Sequence, residues 1–418
     1  MPSTTDLRKY RHHFESVGIG GLLVLGLAMV GFHHASSGRT GGRHSSSSSF
    51  SPPVPLKLLV AESSQTNYYV SPAGNDGNDG SQLRPWLTIQ HAANVAQAGA
   101  TVHVAPGNYS GAITTAASGT GNARIRFVSD VQWGALIRAA SVHIVWTNLG
   151  DYVDIEGFDI AGSTPDTCDG IINYASDVRI IGNNVHDVGY DSVRCVFGSG
   201  IVNHNNRAGH DDDVIGNVAH DIGNFSRAHQ LHHGIYHANL RGHIWNNLVY
   251  RCEGWGIHLW HAASDVTIAN NTVFNNAYGG ILIGDGDDPG GFPPGVVNDR
   301  TVVSNNIVYR NGLQRGASGY GIEEYGNTGV NNQYLNNLVY QNGPKDWKLQ
   351  NGNRAVGSIS ADPQFVNYQP DGSGDYHLRA TSPAIHAGTS LGAAPFKTSS
   401  SLGAEFASRT PSLHLPDL

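Results

Sequence analysis

Residues 264–276 read SDVTIANNTVFNN: a short apolar strand, an Asn-Asn pair, a second short strand and another Asn-Asn pair. The unit recurs along the chain. SDVRIIGNNVHDVG (176–189), RGHIWNNLVYRCE (241–253), NDRTVVSNNIVYRNG (298–312) and VNNQYLNNLVYQNG (330–343) align on Asn183-Asn184, Asn246-Asn247, Asn305-Asn306 and Asn336-Asn337. DYVDIEGFDIAG (151–162) and DDDVIGNVAHDIG (211–223) fit the same frame without the double Asn. A second register runs through Gly-Ile pairs starting at Gly170, Gly200, Gly234, Gly256, Gly280 and Gly321, spaced 30, 34, 22, 24 and 41 residues apart. The short spacings set a coil of 22–24 residues. The longer ones are coils with loops or a skipped coil, and residues 284–300 are the clearest insertion.

A strand of four or five residues cannot bury its apolar side alone. Coils stacked about 4.8 Å apart bury Ile on Ile along the axis. Asn side chains at the turns then hydrogen-bond from coil to coil, and Gly and Asn supply the positive φ of tight corners. A β-sandwich with Asn-rich hairpins is the alternative, but it would not repeat one turn residue at this spacing. The pattern predicts an all-β solenoid, a parallel β-helix, over roughly residues 145–345.

The composition agrees. Charged residues are 14% of 418, with 53 Gly and 22 His, against about 25% charged in an average globular protein. The formal net charge of −8 offers no basic field for nucleic acid. Cys168, Cys195 and Cys252 are no disulfide framework. Cys168 and Cys195 are read as small buried thiols; stacking and bonding across one coil is the alternative.

Arg8, Lys9 and Arg11 precede an apolar run, Val17 to Phe32. A basic segment before a 16-residue apolar run reads as an export signal, with an uncleaved membrane tether through residues 17–32 as the alternative. Residues 1–35 are assigned to this segment and 36–66 to a Ser/Pro-rich linker. The β-helix is assigned to 67–395: cap and first coils at 67–140, central coils at 141–345, terminal strands at 346–395. Residues 396–418 read as a loose tail. The location expected is secreted or cell-surface, and the state a monomer.

PWLTIQHAANVAQAG (85–99) has apolar residues at helical spacing and precedes the strand TVHVAPGNY, as a helix capping the solenoid would. NYYVSPAGNDGNDG (67–80) together with PWLTIQHAANVAQAGATVHVAPGNYSG (85–111) resembles the entry segment of the pectate-lyase-like right-handed β-helix superfamily. DPQFVN (362–367) and GDYHLRATSPAIHAG (374–388) resemble the tail of its bacterial extracellular members, which usually carry Asp where this chain has His386. The resemblance covers about residues 67–390. It implies a right-handed parallel β-helix. It implies an activity only broadly, because members include polysaccharide lyases, uronan epimerases, glycoside hydrolases and proteins with no known reaction. The Lys/Arg arrangement of familiar lyases is not recognisable. AGHDDD (208–213) does not reproduce the epimerases' Asp-Pro-His-Asp motif. No family residue is therefore carried over.

Outward residues of successive coils form a flat face. With the Gly-Ile isoleucines inward, the next residues point out: Ile172, Val202, Tyr236, His258, Leu282 and Glu323. The polar middle of that row lies among His229, His232, His233, His237, His243, His258 and His261. Histidine takes and returns protons near neutrality. Four readings follow. The leading one is acid–base chemistry on an extracellular, acidic polysaccharide. It takes His233 and His258 as candidate bases, Tyr236 as candidate acid and Arg251 as carboxylate partner, with His232, His237 and His261 as further catalytic candidates. Trp255, Trp260 and Arg241 are the substrate-binding candidates. The resemblance makes β-elimination or epimerisation the leading class. The second reading is hydrolysis between two carboxylates about 5–9.5 Å apart, drawn from Glu323-Glu324, Asp211, Asp212 and Asp213, and Asp285, Asp287 and Asp288. The third is a metal: a transition metal on the histidines, or Ca2+ on the Asp triplet, although no ligand spacing such as H-E-x-x-H occurs. The fourth is a non-catalytic, glycan-binding face, with His237 and His243 as satisfied core residues.

Overall fold

The computed structural model describes residues 66–191, 193–204, 208–261, 263–285 and 297–390, all within the compact unit Ala61–Leu418. The predicted export segment, most of the linker, Asp287, Asp288 and the tail lie outside these residues.

Three long parallel sheets wrap one core. We call them sheet 1, carrying the Gly-Ile strands (nine strands), sheet 2 (eleven strands) and sheet 3 (nine strands) among the described residues. Each coil gives one strand to each sheet. The strands Asp169–Asn173, Arg179–Ile181 and Asn184–Val188, for example, lie in sheets 1, 2 and 3 in turn. Every pairing within the three sheets is parallel, as a coil-on-coil stack requires. The core runs unbroken along the axis from Val70 to Val339.

The corner between sheets 2 and 3 carries the predicted ladder. Asn183, Asn217, Asn247, Asn271 and Asn306 each donate from the backbone N–H and from Nδ2 to Oδ1 of the next Asn at 2.9–3.1 Å, ending on Asn337. The residue before each ladder Asn has positive φ: Gly182, Gly216, Asn246, Asn270, Asn305 and Asn336. The equivalent of Asn246-Asn247 is therefore Gly182-Asn183, one residue earlier than the alignment on Asn183-Asn184. Asn184 starts the next strand and bonds Asp159 instead.

The glycines of the Gly-Ile pairs have a steric reason. A Cβ on Gly170, Gly200, Gly234 or Gly280 would lie 2.3–2.8 Å from the carbonyl oxygen of the next glycine in the column. Backbone approaches backbone there, and only hydrogen fits.

Two expectations need correction. Cys168 and Cys195 are joined by a disulfide, their Cα atoms 5.2 Å apart. Cys252 is the free, buried thiol. The loop after Val188 brings Cys195 back beside the strand that follows Cys168, a meeting that a spacing of 27 residues does not itself disclose. The capping helix is also shorter than 85–99. It spans Ile89–Val95 with Thr88 as N-cap, its side chain accepting from the His91 N–H. The apolar start of the run is claimed by Trp86, whose ring packs on Tyr68 and whose Nε1–H bonds the Asn78 carbonyl.

The expected terminal strands are Phe365–Asn367 and Asp375–Leu378, an antiparallel pair. Phe365 and Tyr376 pack on Phe274 and Tyr309 and cover the outer side of sheet 3.

Candidate functional site

The site is built on sheet 1. Ile201, Ile235, Ile257, Ile281 and Ile322 pair in register and are fully buried. The next residues pair with one another as Val202, Tyr236, His258, Leu282 and Glu323, and the row continues to Lys348. Alternation places this row on the opposite face from the isoleucines. Lys348 escaped the sequence reading because its coil begins Asp346-Trp347, not Gly-Ile. Extending the row by one coil would have found it.

His233, Tyr236, His258, Trp260 and His261 come together. The His233 and His258 rings meet edge to face with centroids 4.2 Å apart. Tyr236 lies 5.3 Å from His258 and 6.5 Å from His261. The Trp260 ring is 5.2 Å from His258 and stacks on Tyr325 at 6.0 Å. A Cβ on Gly284 would meet the Trp260 ring at 2.5 Å, so that glycine makes the indole's bed. Beyond Tyr325, the Lys348 ammonium sits 5.3 Å from the rings of Tyr320 and Tyr325 and pairs with Glu323 at 2.5 Å.

Hydrogen bonding orders the two histidines. The Trp255 N–H donates to His233 Nδ1 at 3.4 Å, so this nitrogen holds a lone pair and the neutral ring carries its proton on Nε2. His258 Nδ1 lies 2.9 Å from His233 Nε2 and 3.3 Å from His233 Nδ1. With Nδ1 accepting from the backbone N–H of Trp255, the Nε2 proton makes the bond between the rings. His258 then keeps its proton on Nε2, a buried atom with no hydrogen-bond partner among the described residues. Burial depresses His258 to about 3 and pushes His233 well below the usual imidazole range, each with a neighbouring histidine adding to it. Both rings are neutral near pH 7. His258 therefore presents a donor in the resting pair, where the sequence reading has a base. Burial, with Asp285 adding, raises the Tyr236 hydroxyl and keeps it protonated. It too presents a donor.

Other predicted residues lie elsewhere. His237 points into the core, fully buried, with Nδ1 3.0 Å from Asn203 Nδ2 and Nε2 3.3 Å from the Arg241 carbonyl. It extends a buried polar stack of Asn148, Asn173 and Asn203. Arg241 is on sheet 2 and grips Asp211 through two bonds of 2.6 and 2.7 Å. Arg251 follows the sheet 3 strand Leu248–Tyr250, bonds Asp221 at 2.6 Å and lies over the Phe225 ring. It lines a separate concavity of about 700 Å³ with Asp187 and Asp221. Trp255 is 3% exposed, so it walls the site from beneath and cannot stack on a sugar. His232 turns away from His233 toward Cys195 and Glu253. His243 bonds Asp213 at 2.7 Å on sheet 2, half-buried.

Asp211, Asp212, Asp213 and Glu324 do not converge. Asp211, Asp212 and Asp213 alternate along one strand. Asp211 pairs with Arg241, Asp212 is buried on Asn239 and the Val178 N–H, and Asp213 takes His243. This separates the ligands proposed for Ca2+. Glu324 points inward, fully buried, and accepts from Asn332, Tyr334 and Asn353.

These buried rings make stability pH-dependent. Burial holds His237 near 4 and His258 near 3, whereas an unfolded chain titrates near 6.5. Below about 6.5 the unfolded chain takes up protons that the fold refuses, so stability falls as pH drops toward 4. Each ring forfeits about 1.4 kcal/mol per pH unit across that window. His186 works in the opposite sense. Burial opposes its charge, but hydrogen bonds to Asp159 and Asp187 prevail and raise it to about 9. Its contribution is complete below about 6.5 and is lost as pH rises through 9. Burial also raises Asp169 to about 7 and Asp212 to about 8, and these carboxyls act in the opposite sense to His237 and His258 over the same window. The imidazole share is therefore read by comparing urea midpoints of the parent and His258→Gln from about pH 7 to pH 4. A gap between the two that does not change with pH would contradict the buried, neutral assignment of His258.

The family model described as "Right handed beta helix region" matches residues 169–367. A second, "Protein of unknown function (DUF1565)", matches residues 72–116. YwoF of Bacillus subtilis (strain 168), an uncharacterised protein, is 36% identical over 81 residues, 19% of this chain and 17% of that protein. The matched stretch is thus under a fifth of that relative's length. A solved rhamnogalacturonan lyase is 14% identical with a TM-score of 0.52, covering 76% of this chain and 96% of its own. A solved glycoside hydrolase is 9% identical with a TM-score of 0.52, covering 71% and 96%. At these identities the likeness is one of fold. Coils of three parallel sheets, an Asn ladder at one corner and the matched region give the chain a right-handed parallel β-helix fold, with residues 169–367 matching the right-handed β-helix region family.

Proposed function

We propose that the outer face of sheet 1 carries out acid–base chemistry on an extracellular polysaccharide containing uronates, by β-elimination or epimerisation. The observation that supports this most is the ordered His233–His258 pair, neutral at pH 7 and set beside Tyr236 and the Trp260–Tyr325 platform. In elimination the proton α to the carboxylate leaves, the bond to the departing glycosidic oxygen breaks, and that oxygen takes a proton. His258 Nε2 gives that proton and recovers one from His261, which has taken the α proton and lies close enough to act on His258. His233 keeps its own Nε2 proton and orients His258 through Nδ1. His261 is the candidate acceptor of the α proton. Lys348 replaces Arg251 and Arg241 as the cation nearest the row, and a substrate carboxylate would compete with Glu323 for it. Hydrolysis is less well supported: Glu323 is tied to Lys348 and its neighbour Glu324 faces the core.

Export accords with the basic and apolar N-terminal segment, and the Cys168–Cys195 disulfide supports an oxidising compartment.

The test is to incubate the protein with a panel of uronate-containing and neutral polysaccharides. Elimination gives new absorbance near the ultraviolet edge from an unsaturated uronate. Epimerisation gives a changed uronate composition without scission. New reducing ends without either signal would overturn the reading in favour of hydrolysis. Glycan binding with no product would make this a non-catalytic recognition face.

A further inference from the structure

A second group of ligating side chains lies at the corner where the coil passes from sheet 3 to sheet 1. We propose that His229, His232 and Glu253 bind one divalent transition metal ion, with zinc the best match. The potential donor atoms of the three residues all lie within 4.8 Å of one another. Zinc bonds of about 2.0–2.2 Å set tetrahedral edges of roughly 3.3–3.6 Å. His232 Nδ1 and Glu253 Oε2 are 3.3 Å apart. Half-buried His229 has only to swing its ring inward to close the triangle.

The tautomer of His232 makes the case independent of proximity. Its Nε2 lies 3.0 Å from the Cys195 carbonyl oxygen, which can only accept. Nε2 therefore carries the proton, and Nδ1 of the neutral ring holds a lone pair aimed at Glu253. The two side chains are 1% and 0% exposed. Among the described residues, neither His232 Nδ1 nor Glu253 Oε1 has a hydrogen-bond partner. Two facing lone pairs in a buried place repel unless a proton or a metal cation lies between them, and a metal ion is the occupant that would engage His229 as well. Glu253 Oε2 is otherwise fixed by the Asn224 N–H at 2.7 Å, and Arg227 approaches Oε1 only to 3.6 Å. A histidine ligand whose second nitrogen donates to a carbonyl is the usual outer support of a metal site. The disulfide at Cys195 anchors the segment that carries this carbonyl.

The backbone is shaped for the group. A Cβ on Gly223 would lie 2.7 Å from Glu253 Oε2 and from His232 Cβ, and one on Gly189 would lie 2.8 Å from His232 Cδ2. Two imidazoles and one carboxylate favour zinc-like ions over calcium or magnesium, which take oxygen ligands. Three protein ligands leave a fourth position for water or an outside ligand. The ion would clasp the loop bearing His229 and the turn bearing Glu253 to the first residue of the His232–His237 strand. That strand also carries His233 and Tyr236, but the metal site does not depend on the proposed reaction.

The test uses the full chain, stripped with a chelator and dialysed. Titration with zinc chloride, followed by calorimetry, should show one saturable site whose occupancy raises the melting temperature. Cobalt chloride should give the visible absorption of a four-coordinate ion. His229→Ala removes a half-buried ligand and should fold normally by circular dichroism. It should weaken zinc binding about 100-fold or more and abolish the cobalt spectrum. Glu253→Gln should behave alike where it folds. No zinc uptake by the parent chain would overturn the proposal. So would zinc affinity and a cobalt spectrum unchanged in folded His229→Ala.

Discussion

Replacing His258 by glutamine is expected to lower turnover about 10²- to 10⁴-fold, the range for loss of a positioned acid or base, with little change in stability. Glutamine fills much of the same space between Tyr236 and Trp260. It can neither give up a proton from the position of Nε2 nor offer a ring nitrogen for His233 to hold. His233→Gln breaks the pair one ring earlier, at the 2.9 Å bond to His258 Nδ1. It should cost a similar factor. Because the two rings act as one unit, the double variant should be scarcely slower than either single one. The measurement is kcat on the substrate found in the polysaccharide screen, with the near-ultraviolet circular dichroism of each variant matched to the parent. Turnover within about twofold of the parent for His258→Gln would remove the pair from the mechanism.

Gly234→Ala is expected to be strongly destabilising. The added Cβ would lie 2.3 Å from Val249 Cγ1, 2.7 Å from the Gly256 carbonyl oxygen and 3.1 Å from Cys252 Sγ. Val249 is buried on every side, and the carbonyl belongs to the next strand. No flexible side-chain end can yield. The strand must move, and with it the coil above. Overpacking typically costs about 1–3 kcal/mol, and a clash with fixed backbone belongs at or above the upper end. Urea unfolding should show a lower midpoint with an unchanged slope. Gly121→Ala is the control. Its Cβ would meet nothing closer than Tyr152 Cε1 at 3.8 Å, and its effect should stay within about 0.5 kcal/mol. Equal losses in the two variants would mean that the glycine column is not the constraint described.

The fold was legible in the sequence because its determinants repeat. One glycine column and one asparagine ladder, each stated several times over, fix the coil and the face each residue occupies. The row Tyr236, His258, Leu282, Glu323 was read correctly from the isoleucines beside it, since alternation is strict within a strand. The slip at Asn183-Asn184 shows the limit of such reading: either Gly or Asn satisfies the positive-φ corner, so a doubled Asn does not mark the ladder position uniquely.

The site was less legible. Arg241, Arg251, His232 and His237 were gathered with His258 because they are near it along the chain. In a solenoid that is poor guidance, since ten residues carry the chain round to another sheet. Arg251 faces Asp221 at one corner and Arg241 faces Asp211 on another side. Lys348 is distant in sequence yet lies on the row itself. The transition-metal reading included His229 and His232 among the histidines but not Glu253, which comes from the same corner of the next coil and meets them only when the two coils stack.

The C-terminal hairpin has a consequence for how the solenoid comes apart. Coils bonded only to their neighbours can open one after another from a free end. Asn275 bonds the Pro370 carbonyl, Asn305 exchanges bonds with Thr389, and Asn336 bonds the Ala387 carbonyl. These asparagines belong to three successive coils. The hairpin and the chain that follows it therefore act as a splint laid across the stack, and the last three of these coils cannot unzip singly. They open together, once the splint has lifted.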